Sequence, residues 1–156
     1  MKFTEKAITR TARFGCDTET MWKRWSSYDG LRTFFGAENK IELWPGGAFE
    51  IYFMMTLPYG SRGSEGCKVL SFVPGRSITF SWNAPPHLQY VRNHPYKTPV
   101  TVLIDKESEG CKVTITHNGW PDSASDGPEG KQWDDVYAYF DKAWDQVLGS
   151  LQASFS

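Results

Sequence analysis

Apolar residues in the last third of the chain follow a helical rhythm. From Lys131 to Ala153 they fall at Trp133, Val136, Tyr137, Phe140, Trp144, Val147, Leu148 and Leu151, with the i, i+3, i+4 spacing of one helix face. Asp134, Lys142, Asp145 and Gln152 fall on the other faces, where water solvates them. Such a helix would be roughly 35 Å long at 1.5 Å per residue, enough to cross a small domain. Asp126 or Gly127 suits its cap and Pro128 its first position, so it is expected from about Pro128 to Ala153. Upstream the period changes to two. Ile8 to Phe14 alternates and predicts a first strand. Asp17 then offers an N-cap to a short helix with Met21, Trp22 and Trp25 on one side. Ser26-Ser27-Tyr28-Asp29-Gly30 is expected to break it, and Leu31 to Phe35 to form a second short helix ending at Gly36.

Three hairpins follow. Lys40–Trp44 and Ala48–Met55 meet across Pro45-Gly46-Gly47, with Phe49, Ile51 and Phe53 on one face and Glu50 and Tyr52 on the other. Glu65–Val73 and Arg76–Trp82 meet across Pro74-Gly75, and Thr98–Lys106 and Cys111–Asn118 across Ser108-Glu109-Gly110. Successive hairpins imply an antiparallel sheet of about seven strands. The predicted class is therefore α+β: one domain over residues 1–156, with two short helices after the first strand and a curved sheet around a long C-terminal helix. A core or a pocket would lie between sheet and helix.

Composition narrows the function. A chain of 156 residues can bury roughly 70% of its unfolded surface without disulfides or metal. Seventeen basic residues against 18 acidic ones give a net charge of −1, and no basic run marks a nucleic-acid footprint. Cys16, Cys67 and Cys111 are odd in number and contain no CxxC pair, so reduced thiols in a cytoplasmic protein are expected. No stretch approaches the roughly 20 apolar residues that span a bilayer, and the N-terminus lacks the apolar core of a signal peptide. Aromatic residues make up 15% of the chain, which fits either a bulky core or an apolar ligand site.

The order of elements resembles the helix-grip fold of the START-like (SRPBCC, Bet v-type) superfamily. Several motifs resemble the branch named after the activator of the Hsp90 ATPase. They are Met21-Trp22-Lys23-Arg24-Trp25 with Leu31 and Phe34-Phe35-Gly36, then Trp44-Pro45-Gly46-Gly47-Ala48-Phe49, and then Gly66-Cys67-Lys68-Val69-Leu70. Pro74-Gly75-Arg76-Ser77-Ile78-Thr79-Phe80-Ser81-Trp82 and Val113-Thr114-Ile115-Thr116-His117-Asn118-Gly119-Trp120 complete the set, in order, across nearly the whole chain. Cys16-Asp17 departs from it, standing where an Ala-Pro pair is usual. The resemblance implies a site for an apolar or amphipathic small molecule between sheet and helix. The co-chaperone that names the branch makes much of its chaperone contact through a second domain, for which this chain has no room. A chaperone contact is thus a secondary expectation.

Alternation sends Ile78, Phe80 and Trp82 inward, together with Val113, Ile115 and His117. Opposite them the helix offers Trp133, Tyr137, Phe140 and Trp144. Asn83 to Pro99 breaks the hairpin rhythm, with Pro85, Pro86, Pro95 and Pro99 around His87, Tyr90, His94 and Tyr96. It reads as a surface insertion or as a gate, with Tyr90 and Tyr96 over a pocket mouth, Trp82 beneath and Trp120 on the neighbouring rim. The two loop histidines are expected in solvent. The expected ligand-binding set is Phe80, Trp82, Tyr90, His117, Trp120, Trp133, Tyr137, Phe140 and Trp144. His117 is the one inward titratable group, fit either to orient a ligand, to serve as an acid/base in a cyclase- or hydratase-type enzyme, or to bond a loop backbone. No nucleophile elbow, phosphate loop, metal-binding helix or inward carboxylate pair is present. The chain is therefore expected to need no cofactor or metal, and to bind a hydrophobic or aromatic (lipid-like or polyketide-like) molecule in preference to catalysing a reaction.

Overall fold

A computed structural model describes Met1–Ser156. Strand β1 (Ile8–Phe14) leads into helices α1 (Thr18–Ser26) and α2 (Tyr28–Arg32), then strands β2 (Glu38–Ile41), β3 (Phe49–Tyr52), β4 (Val69–Val73) and β5 (Ser77–Trp82). A single helical turn, α3 (Gln89–Arg92), precedes β6 (Thr98–Glu107), β7 (Gly110–His117) and the long helix α4 (Gln132–Ala153). Five strands form one antiparallel sheet in the order β1-β7-β6-β5-β4, and β2 pairs with β3. The two sheets join where Ala48 bridges Lys68, and where the Phe49 N–H donates to the Cys67 carbonyl at 2.9 Å. This is a helix-grip architecture.

Helix α4 has 22 residues, roughly 33 Å at 1.5 Å per residue. Its inner face buries Trp133, Val136, Phe140, Trp144, Leu148 and Leu151 against the sheet, while Tyr137 and Val147 are half-buried. The sheet answers in period two. Thr98, Val100, Val102 and Ile104 of β6 are buried, as are Cys111, Val113, Ile115 and His117 of β7. The buried apolar residues among these belong to one core of 28 side chains, completed by α1 and α2. Arg10 fastens β1 to the outer side of α4, donating to Asp141 and to Asp145 at 2.8 Å each.

The helix starts later than expected. Pro128 lies in a turn before it, and Lys131 occupies the N-cap position without a side-chain cap bond. Asp126 is otherwise engaged: it accepts from the Trp133 indole N–H at 2.8 Å and lies 3.1 Å from His94 Nε2.

The α1–α2 boundary also differs. Ser26 to Gly30 was expected to be non-helical, but only Ser27 separates the helices. Its hydroxyl accepts from the Gly30 N–H at 3.0 Å and so caps α2. Gly30 lies inside α2 because the helices touch there. A Cβ at Gly30 would sit 2.0 Å from the Lys23 carbonyl oxygen. Glycine acts here as a contact surface and not as a helix breaker.

Strands β2, β3 and β4 are shorter than predicted. After Tyr52 the chain pairs with its own return, with the Phe53 and Met54 N–H groups both donating to the Arg62 carbonyl. Phe53 is exposed in consequence, unlike the buried Phe49 and Ile51, with its ring 6.1 Å from that of Phe35. Glu65 belongs to a loop because its carboxylate gathers the backbone N–H groups of Gly60, Arg62 and Gly63.

Candidate functional site

A cavity of about 450 Å³ lies between α4 and the loops around the end of β5. One wall is the middle of α4, where Tyr139, Phe140, Ala143, Trp144 and Val147 line it. Phe34 and Phe35, just after α2, form the back wall, and Trp82 at the end of β5 forms the base. The far rim is the segment from Phe53 to Ser64, with Asn83 to Pro86 closing the side. The aromatic walls brace one another: Phe35 and Trp82 centroids are 5.3 Å apart, Trp82 and Trp144 5.7 Å, Phe35 and Trp144 6.1 Å. Rings that support each other hold a cavity open where flexible aliphatic chains would collapse into it.

Three of the nine residues singled out from sequence line this space: Trp82, Phe140 and Trp144. Trp82 is 5% exposed, and its Nε1–H finds no acceptor within the protein. An unpaired buried donor costs about 1–3 kcal/mol.

The other six lie elsewhere. Phe80 stacks on Phe49 in the core, with centroids 4.0 Å apart. Tyr90 donates its hydroxyl to the Asp126 carbonyl at 3.1 Å. Trp120 is buried and donates its indole N–H to the His117 carbonyl at 2.9 Å. Tyr137 packs edge-on against Trp120, with Lys6 over its ring. Trp133 is tied to Asp126.

His117 sits behind Phe140 and Trp144 and is fully buried. The Trp144 Nε1–H donates to its Nδ1 at 3.1 Å, which assigns the ring proton to Nε2. That Nε2–H then donates to the Thr98 hydroxyl at 2.6 Å. Burial pushes the His117 pKa down to about 3, so the ring is neutral near pH 7. With both nitrogens engaged by protein and no path to the cavity surface, it lacks the exchangeable proton an acid/base needs. Its geometry is that of a core histidine joining β7, β6 and α4.

The Asn83–Pro99 loop is clamped at several points, and Tyr90 and Tyr96 do not cover the mouth. Tyr96 donates its hydroxyl to the Gly119 carbonyl at 2.6 Å, while His94 is largely buried against Asp126. The Trp133 indole bond, with His94 beside it, holds the Asp126 carboxyl below its ordinary range. His94 is thus not the solvated side chain expected from sequence, whereas His87 is exposed. Only Asn83 to Pro86 reaches the cavity. The expectation of a gate made of Tyr90 and Tyr96 fails for a topological reason: from Gln89 onward the loop turns toward the N-terminal end of α4.

A buried charged cluster beneath the rim has no counterpart in the sequence reading. The Arg92 guanidinium donates to the Ala84 and Gly60 carbonyls at 2.6 Å each and lies 3.4 Å from Glu65 Oε1. Burial alone would raise the Glu65 pKa, but the N–H groups of Arg62, Gly60 and Gly63 outweigh it and hold it low. Lys97 donates to Asn83 Oδ1 at 2.9 Å and to the Arg92 carbonyl, and burial lowers its pKa. Glu50 accepts from the hydroxyls of Tyr52 and Tyr59 at 2.6 and 2.7 Å, and that bond with burial pushes Tyr59 up to about 12. These bonds lock the 57–66 loop to the 83–97 loop and thereby fix the rim. Nothing in the local pattern announces them, since charges in Gly-, Ser- and Pro-rich segments ordinarily face water. Phe34 and Phe35 were legible as aromatics after a short helix, but their place in the wall was not.

No helix is long and apolar enough to cross a membrane. A family model described as Activator of Hsp90 ATPase homolog 1-like protein matches residues 16–156. No curated protein matches the sequence. Among solved structures, a crystal structure of a protein from Mesorhizobium loti superposes with a TM-score of 0.70 at 15% identity, covering 96% of each chain. A solution structure from Bacillus halodurans reaches 0.68 at 20% identity over the full length of both chains. The solution structure of the Aha1 dimer from Colwellia psychrerythraea reaches 0.64 at 15% identity, covering 94% of this chain and 92% of that one. At these identities the structures share the fold, and the family match supplies the kinship. The chain belongs to the Activator of Hsp90 ATPase homolog 1-like family, within the START-like superfamily.

Proposed function

We propose that this protein binds a hydrophobic, ring-containing or lipid-like small molecule in the cavity between α4, Phe34-Phe35 and the 53–64 rim, without transforming it. The carrying observation is the cavity itself. Its volume of about 450 Å³ lies within the range of small-molecule sites, and its 22 lining residues are more than half hydrophobic, with several aromatic rings among them. The burial of His117 argues against the enzyme reading, which had that residue as its acid/base. A cytoplasmic location accords with the three free cysteines.

Ala143 provides the test. It is half-buried on α4 and lines the cavity, so a larger side chain there grows into the space and not into the core. A neutral apolar fluorophore such as phenyl-naphthylamine should bind the native protein and raise its melting temperature with concentration, following RT ln(1 + [L]/Kd). Ala143→Trp should abolish that shift while the variant still melts cooperatively. An equal shift in the variant would place the binding elsewhere and defeat the proposal.

A chaperone partner is the second reading. It draws on the family match and on the exposed run Phe53, Met54, Met55, Leu57 and Tyr59 at the cavity rim. It expects a change in the rate of a chaperone ATPase when this protein is added in excess, and an unchanged rate removes it.

A further inference from the structure

The cavity walls carry one charged residue, Arg62, and no carboxylate. Arg62 is aimed by its own loop. Its backbone N–H donates to Glu65 Oε2 at 2.8 Å, and its side-chain Nε–H donates to the Leu57 carbonyl at 2.7 Å. The second of those bonds uses one edge of the guanidinium. Its two terminal nitrogens make no hydrogen bond, and no Asp or Glu forms an ion pair with it. The nearest carboxylate in sequence, Glu65, is already engaged by three backbone N–H groups and by Arg92. Two side-chain acceptors at the cavity are spent, whereas Ser61, Gln146 and Ser150 line it without a side-chain hydrogen bond. Ser64 Oγ accepts from the Ile51 N–H, and Asn83 Oδ1 accepts from the Ala84 N–H and from Lys97.

An apolar space bordered by one unpaired cation and by no carboxylate matches a ligand with an apolar body and an anionic head. We infer that the cavity selects amphipathic anions: molecules with an apolar, ring-bearing or acyl body and a carboxylate-class head that Arg62 receives at the rim. This inference rests on the cavity being a binding site and adds the polarity of its ligand. Guanidinium is suited to the task, because its planar fork gives a carboxylate two parallel hydrogen bonds. Arg62 also stands at the mouth, partly open to water, so the head keeps part of its hydration while the body enters the apolar interior.

Two probes separate the inference from the reading beneath it. Anilinonaphthalene sulfonate and phenyl-naphthylamine share their aromatic body and differ by the anionic group. The sulfonate should bind the native protein more tightly, and the ratio of the two affinities should fall about tenfold or more in Arg62→Met, the loss of a charge-assisted bond. Arg62→Lys should restore part of the ratio, and added salt should shrink it in the native protein. If neither probe binds, the cavity is not a ligand site and both ideas fall. If the neutral probe binds as tightly as the anion, or if the ratio survives Arg62→Met, the cavity reading stands and the anion selectivity is overturned.

Discussion

His117 shows how one side chain converts burial into a pH response. Its folded pKa is about 3, whereas an unfolded chain takes up the proton near the ordinary value of 6.5. Between those values the unfolded state binds more protons, so stability is present above about pH 6.5 and drains away as the pH falls. From pH 7 to pH 5 this residue alone should cost about 2 kcal/mol. Urea denaturation at the two pH values, compared with His117→Gln, would isolate the effect. Gln does not titrate, so its stability should change less over that interval, and an equal change in both proteins would show that His117 is not the source. Inward direction was legible from the alternation of β7, and so was the choice of candidate. What the neighbours do to the ring was not. Trp144 and Thr98 meet His117 only after three elements have packed, and those contacts turn a candidate acid/base into a core group.

The loops around the cavity behave as one element, because Arg92 bridges them. It reaches from α3 to Gly60 and Glu65, so the 83–97 segment cannot move without the 57–66 segment. Both side chains of the pair are about 5% exposed, which makes breaking it costly. Arg92→Met should lower the unfolding free energy by about 3 kcal/mol, the low end for a broken buried pair, since Glu65 keeps its backbone donors. Glu65→Gln turns one of two accepting oxygens into a donor facing a loop N–H, so it should be destabilising by itself, and the double variant should lose less than the two single losses together. Denaturant titration of the single and double variants measures that coupling, and fully additive losses would refute the pairing. Rigid loops of this kind explain how a rim rich in glycine and serine can keep Arg62 aimed.

At the scale of the molecule, α4 is the keystone. It contributes six buried residues to a core of 28 and forms one wall of the cavity. Without it the apolar faces of β5, β6 and β7 would meet water. A fragment ending at Gly130 should therefore lose its cooperative thermal transition by calorimetry, and a sharp melt in that fragment would overturn the gripping arrangement. Helix and sheet depend on each other.

Local sequence was enough for the class, the seven strands, the inward faces of β5 and β7, and the buried face of α4. Each of those follows from a periodicity of two or of 3.6 carried by neighbouring residues. Local chemistry placed the Asp17 cap, which accepts from the Thr20 N–H at 2.8 Å. Tertiary structure alone decided where the inner face is filled and where it is hollow. Phe80 meets Phe49 and His117 meets Trp144, whereas Trp82, Phe140 and Trp144 border a space, although all of them share the inward alternation. The period says which way a side chain points and is silent on what stands opposite it. Opposition across distant segments, Arg62 facing α4 or Arg92 facing Glu65, is set by the three-dimensional path of loops that carry no period.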